Sequence, residues 1–389
     1  MSDASAVHDE AWFASRAQSG VRGLKAYDPG HDLVGLRRRF GARLVELGSN
    51  ENPYGPSSDA RAAILDQLHS LHRYPDPTGA GLKRALADRH RVQTEQLLLG
   101  NGSHELLMQL AQVFAGPGDE VVFSRYGFAV FALATQAAGA TMRIAEALPR
   151  GQPGSWQGAP AQSMPLGHDL AALCAALTPA TRLVYLANPN NPTGTWFGGR
   201  ALADFLAQVP GDVIVVVDEA YAEMADAPDY ASAVPLLARH ANLVVTRTFS
   251  KAYGLAGLRV GYLLAAPGLV AVMECLRESF NVNTPALAAC EAALGDEAHL
   301  QWVCARNAEQ RIALADALCA RGLRVFPSQT NFLLVECGDA TAAIEAGLLA
   351  RGVVLRPMSG YGLPDCLRIT VGTREENRRL LDALDEVLP

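Results

Sequence analysis

Short, nearly unbroken apolar runs recur along this chain, and several end in a polar residue. The runs over 121–123, 183–186, 213–217 and 243–246 are too short for helices and show no alternation of apolar and polar residues. A strand covered by helices on both faces reads this way. Longer helical patterns such as 105–115 and 200–209 lie between the runs. This predicts an α/β fold, with a mainly parallel central sheet and helices on both faces. In open sheets of this kind, ligands bind beyond the carboxyl ends of the strands. Asn188, Asp218 and the pair Ser250-Lys251 closely follow three of the runs, so a ligand pocket is expected there.

The last hundred residues have a different texture. A helical stretch over 297–321 is followed by strand-like Val325 and 331–335, a helix near 341–350, strands near 353–356 and 367–371, and a terminal helix from Arg374. The pattern predicts a smaller C-terminal α+β domain over 286–389, a large domain over 49–285 and an N-terminal arm over 1–48. The segment 149–167 is rich in Gly, Pro, Gln and Ser and reads as a loop.

Composition narrows the function classes. A net charge of −7 argues against a general nucleic-acid binder. No run reaches the roughly 20 apolar residues of a membrane helix, and the first residues carry no secretory signal pattern. The seven cysteines are scattered and none forms CxxC, which predicts free thiols in a reducing cytoplasm and no metal site. Lysine occurs only at Lys25, Lys83 and Lys251, against 30 arginines. A lysine amine condenses readily with an aldehyde and a guanidinium does not, so a Schiff-base enzyme built from this chain has three candidates.

Four motifs carry chemistry. The run over 213–217 ends in Asp218-Glu219-Ala220-Tyr221; a carboxylate there can cap a helix, bind a metal or pair with a protonated ring nitrogen. Thr248-Phe249-Ser250-Lys251 is followed by small residues that permit close backbone approach, with Arg259 eight residues beyond the lysine. Asn188-Pro189-Asn190-Asn191-Pro192-Thr193-Gly194 is either a plain turn or a turn that aims an amide at a ligand. Gly100-Asn101-Gly102-Ser103-His104 opens a helix, where free N–H groups and the helix dipole suit a phosphate.

In this order and spacing the motifs resemble the fold-type-I enzymes of pyridoxal 5′-phosphate (PLP), specifically the class I and II aminotransferases. The resemblance covers the chain from about Tyr27 onward. Three further signatures are similar to the histidinol-phosphate aminotransferases: Gly48-Ser49-Asn50-Glu51-Asn52-Pro53-Tyr54-Gly55-Pro56, Arg73-Tyr74-Pro75-Asp76 and Leu367-Arg368-Ile369-Thr370-Val371-Gly372-Thr373.

The resemblance implies roles. Lys251 forms the Schiff base with PLP and moves the proton, Asp218 pairs with the ring nitrogen, and Tyr221 and Asn191 bond the phenolic oxygen. The backbone at Gly102, Ser103 and His104, the Ser250 hydroxyl and Arg259 hold the phosphate. Tyr74 reaches the phosphate of a neighbouring subunit, which implies a homodimer with shared active sites. The family's proline–variable–aromatic pattern lacks its proline at Ser124-Arg125-Tyr126; Tyr126 is the expected ring-stacking residue, with Phe128 as the alternative. Arg368, Arg356, Asn331 and Tyr27 are expected at the substrate, whereas Asn50 and Asn52 are read as ordering the entrance loop.

The implied reaction is transamination of histidinol phosphate with 2-oxoglutarate, in histidine biosynthesis. The same site could serve an aromatic amino acid aminotransferase or a decarboxylase of a phosphorylated amino acid. A non-catalytic PLP-binding sensor fits less well, because Lys251, Asp218, Asn191 and Tyr221 are all present and the segment before Tyr27 is short for a DNA-binding module.

Overall fold

The computed structural model describes residues 8–24, 31–151 and 164–388. Strand β1 (Val45–Glu46) comes first, and its partner lies far downstream. The central sheet is built from β2 (Leu97–Gly100), β3 (Glu120–Ser124), β4 (Thr141–Ala145), β5 (Thr181–Ala187), β6 (Ile214–Asp218), β7 (Leu243–Thr248) and β8 (Gly261–Ala265). Their order across the sheet is β2-β8-β7-β6-β5-β3-β4. From β7 to β4 all neighbours are parallel, while β8 runs against both β7 and β2.

The four runs read from the sequence are β3, β5, β6 and β7. Their apolar continuity follows from burial on both faces. Val215 and Val217 pack into one core with Val184, Leu186 and Phe205. Val216 faces the other core, with Tyr185, Phe131 and Leu110. Edge strand β4 is mostly exposed and carries Arg143, an ion-pair partner of Glu120. A charge there discourages further strand pairing.

The small body holds β9 (Arg324–Val325), β10 (Phe332–Glu336), β11 (Val353–Val354), β12 (Arg356–Pro357) and β13 (Cys366–Thr370). An antiparallel sheet runs β12-β13-β10-β9, whereas β11 pairs with β1 in parallel. The single strand expected over 353–356 is therefore two. The chain changes partner at Leu355, which is buried in the small core.

Packing crosses both expected domain boundaries. Val45 and Leu47 are buried with Leu333, Ile369 and Leu380, so the end of the expected arm belongs to the small body. The helix Thr284–Gly295 begins at the expected boundary of 285, yet Ala286, Leu287 and Cys290 are buried in the core beside the central sheet. The cores change over along the next helix, Glu297–Ala320: Leu300 joins the large core, Leu314 and Leu318 the small one. Among the described residues, no helix is long and apolar enough to cross a membrane. All seven cysteines are free thiols.

Candidate active site

Parallel register brings the motif-bearing strand ends side by side. Ala187 of β5 pairs with Asp218 of β6, and Asp218 with Thr246 of β7. Asn188 and Ser250-Lys251 follow directly, so residues over 60 positions apart converge at one edge.

Asp218 is 4% exposed, and its Oδ1 accepts a hydrogen bond from Thr246 Oγ1 at 2.9 Å. Burial pushes its pKa up to about 6, against the Thr246 bond; the neighbouring Glu219 adds to the rise. A carboxylate left in so dry a place is suited to a cationic partner. Glu219 itself is committed elsewhere. It meets the Arg247 guanidinium at 2.6 Å, and Arg247 also binds Glu223 at 2.8 Å, beneath the site.

Lys251 is partly buried, and its Nζ donates to the Asn50 carbonyl at 3.1 Å. That nitrogen lies 5.7 Å from the centre of the Tyr221 ring. Burial lowers the lysine pKa to about 8, and the positive charges of Arg368 and Arg259 push the same way. A neutral amine is therefore accessible near neutral pH, as a nucleophile and proton carrier require.

Gly102 caps the helix Ser103–Phe114 with φ +86°, a conformation that favours glycine. A Cβ at Gly102 would collide with an Arg259 nitrogen, and one at Gly261 with the Ser103 nitrogen. Arg259 Nη1 reaches Ser250 Oγ at 3.3 Å. Helix N–H groups, a hydroxyl and a guanidinium thus converge where two glycines make the space. The combination suits a phosphate. His104 is exposed in the first turn of that helix.

The asparagines of the turn divide the work. Asn188 is tied by its side chain to the Phe197 backbone on both sides, at 3.1 Å each. Asn190 donates to the Tyr126 carbonyl and to Thr193 Oγ1, both at 2.8 Å. Asn191 faces the site, its Oδ1 accepting from Arg368 Nη1 at 2.6 Å. Among the described residues, no acceptor takes its amide hydrogens. Arg368 also donates to the Gly48 carbonyl at 2.9 Å, and its guanidinium lies 5.3 Å from the Phe332 ring centre. Arg356 is paired with Arg368 across β12 and β13, so the two side chains leave the same face of the sheet. Like charges so placed favour an anion.

Asn331 is buried at the join of the two bodies. Its Nδ2 donates to the carbonyls of Asn50 (3.0 Å) and Glu51 (3.1 Å). This amide group clamps the entrance loop, the loop-ordering role that sequence reading gave to Asn50. Asn52 does hold that loop, donating to the Ala252 carbonyl at 3.0 Å. Asn50 reaches further: it touches Lys251 by its carbonyl and the Tyr221 hydroxyl by its amide, at 3.0 Å. Sequence reading also missed Thr246, whose only local signal was a polar residue closing an apolar run.

The aromatics separate cleanly. Phe128 packs edge-on to Phe131, 6.0 Å between centres, against the core beneath the sheet. Tyr126 instead lies against the small-body cluster of Leu166, Phe326 and Met358. Tyr74 is 82% exposed and stacks on Phe280 at 4.6 Å, a surface position. Tyr27 lies outside the described residues, as does Lys25.

Known proteins are similar to this chain over nearly its whole length. Residues 42–384 match the family described as aminotransferase class I and II. The chain is 46% identical to histidinol-phosphate aminotransferase 2 of Pseudomonas aeruginosa, across 97% of this chain and 98% of that one. It is 40% identical to histidinol-phosphate aminotransferase 1 of Mannheimia succiniciproducens, across 97% and 99%. The crystal structure of histidinol-phosphate aminotransferase from Sinorhizobium meliloti, in complex with pyridoxal 5′-phosphate, superposes with a TM-score of 0.84 at 31% identity, covering 96% of this chain and 97% of that one. With the strand-end lysine, the buried aspartate and the glycine-opened helix in place, this chain belongs to the class I and II aminotransferases.

Proposed function

We propose that this protein catalyses PLP-dependent transamination of histidinol phosphate with 2-oxoglutarate, yielding imidazole acetol phosphate and glutamate, in histidine biosynthesis. The observation that carries the reading is a single arrangement. A lysine amine stands near a buried carboxylate, with an anion cradle formed by Gly102, Ser103, Ser250 and Arg259 and with Arg356 and Arg368 paired across two strands.

These residues fit PLP. Gly102 lets the Arg259 guanidinium close on the helix N-terminus, where a Cβ would collide with it, and Asp218 is a buried carboxylate suited to a protonated ring nitrogen. When bound, PLP supplies an electron sink for the carbanion formed at the substrate carbon. Asp218 holds positive charge at the ring nitrogen. Tyr221 and Asn191 would address the phenolic oxygen, and Tyr126 would cover the ring. Lys251 would hold the cofactor, and its Nζ would carry the proton at the substrate Cα. Arg368 holds the carboxylate of glutamate or 2-oxoglutarate, with Arg356 as a second anion contact.

Arg368→Lys keeps the charge and loses the planar fork. Its KM for 2-oxoglutarate should rise roughly 10–100-fold, the worth of one hydrogen bond to a charged group, with the bound cofactor's absorption spectrum preserved. Initial rates against 2-oxoglutarate concentration measure this; an unchanged KM would remove Arg368 from the acceptor site.

Tyr74 fits a homodimer. An aromatic so exposed in one chain is available to a second copy, where it would reach the partner's cofactor phosphate. The free thiols suit a cytoplasmic enzyme.

The test of the substrate is kcat/KM for histidinol phosphate, phenylalanine, tyrosine and phosphothreonine, with 2-oxoglutarate as acceptor and CO2 monitored. Histidinol phosphate should be preferred by at least ~100-fold, about what charge-assisted recognition of its phosphate supplies. Equal turnover of phenylalanine or tyrosine would move the enzyme to aromatic amino acids. CO2 release without glutamate would make it a decarboxylase.

A further inference from the structure

Asn50 is 1% exposed and sits at φ +56°, with every polar group of its backbone and side chain engaged. Its N–H donates to Thr370 Oγ1 at 2.9 Å. Having accepted that bond, the threonine hydroxyl gives its own hydrogen to Asn50 Oδ1, at 3.3 Å. The exchange fixes which end of the amide is which. Oδ1 faces Thr370, so Nδ2 faces Tyr221 and must donate to its hydroxyl oxygen, at 3.0 Å. Tyr221 receives a hydrogen from that side and cannot give its own there. The Asn50 carbonyl accepts from both Lys251 Nζ and Asn331 Nδ2, which holds the residue in place from the small body.

We propose that Asn50 is a positioning residue that sets the polarity of the Tyr221 hydroxyl, so that the phenol acts as a donor toward the phenolic oxygen of the bound cofactor. The inference rests on the PLP reading above. Burial pushes the Tyr221 pKa up to about 12, so the hydrogen is present throughout the working pH range. The charged and titratable groups facing Tyr221 and Lys251 are Arg368, Asp218, Glu51, Arg259 and Tyr361. A hydrogen given to the phenolic oxygen stabilises its anionic form. It therefore lowers the pH at which the lysine–cofactor nitrogen loses its proton.

The experiment is a pH titration of the visible absorption of the holoenzyme, for wild type, Asn50→Gly, Tyr221→Phe and the double variant. Glycine tolerates the positive φ and deletes only the side chain. The midpoint in Asn50→Gly should rise by roughly one pH unit, the size of one hydrogen bond to a charged acceptor. Tyr221→Phe should raise it at least as far. The double variant should match Tyr221→Phe, because Asn50 acts only through the phenol. Asn50→Asp, of the same shape but able only to accept, should also raise the midpoint, and it serves if the glycine variant does not hold PLP. A wild-type midpoint in both Asn50 variants would overturn the inference. So would a glycine shift that persists undiminished on the Tyr221→Phe background. A wild type with no lysine-dependent visible band would instead overturn the PLP reading itself.

Discussion

Lys251→Ala is expected to lose turnover by on the order of 10⁴-fold or more, because in the proposed mechanism one substitution removes both the cofactor anchor and the proton carrier. The lysine–cofactor absorption band should vanish with it. Lys83 cannot substitute, because it is held by Glu274 at 3.0 Å. The loss should not come from unfolding. The Lys251 pKa is lowered in the folded chain to about 8, from an ordinary 10.5. Between those values the unfolded chain binds more protons, so stability rises with pH through that window. Below it, the buried cation is a full cost to the cofactor-free protein, and alanine removes it. Cofactor-free Lys251→Ala should therefore melt no lower than cofactor-free wild type at pH 7. Full activity in this variant would end the assignment of Lys251. A collapsed Tm would mean that the side chain matters to packing more than its charge costs.

Asp218→Asn should separate catalysis from stability more sharply. The substitution keeps the shape and an acceptor for Thr246 Oγ1, yet removes the charge proposed to hold a proton on the ring nitrogen. We expect kcat to fall by on the order of 10³-fold, about 4 kcal/mol of lost charge stabilisation, and PLP to bind more loosely. The cofactor-free protein should respond the other way. Folding raises the Asp218 pKa to about 6 from 3.8, so between these values the folded chain holds more protons. Its stability then falls as pH rises through that window, and the cost persists above it. The asparagine variant should escape this cost, which is about 3 kcal/mol at most. Thermal melts of cofactor-free wild type and variant at pH 4 and pH 8 check the sign. The variant should gain relative to wild type at pH 8 and lose that advantage near pH 4. Unchanged kinetics would count against the ring-nitrogen role, and an equal difference at both pH values would count against the buried charge as the cause.

The opposed effects expected at these two residues have one physical origin. A site that must take up a charged, aldehyde-bearing cofactor keeps a cation and an anion poorly solvated until that ligand arrives. The ordinary core around it, such as Val215, Val217 and Phe249, carries no such cost.

Much of this site was legible because its chemistry is written in short segments. A buried parallel strand must be apolar along its length, so the polar residue that ends it stands out, as at Asp218 and before Lys251. Turns that need glycine or proline announce themselves, as at Gly102 and in the Asn-Pro turn. These local rules, with the order of the motifs, determined the α/β class and the strand-end position of the candidate residues.

Tertiary structure decided what depends on distant partners. Asn50 contacts Tyr221 and Lys251 across 171 and 201 residues of sequence, and nothing in its own segment marks either contact. The choice of Asn191 over Asn188 and Asn190 rests on which amides the loop consumes for itself. Which core takes Phe128, Tyr126 and the helix Thr284–Gly295 was likewise set by tertiary packing. Local sequence fixes periodicity and turns, because those are short-range sterics and hydrogen bonds. Which buried donor meets which acceptor is set only when the folded chain brings them together and removes the water that either could have bonded instead.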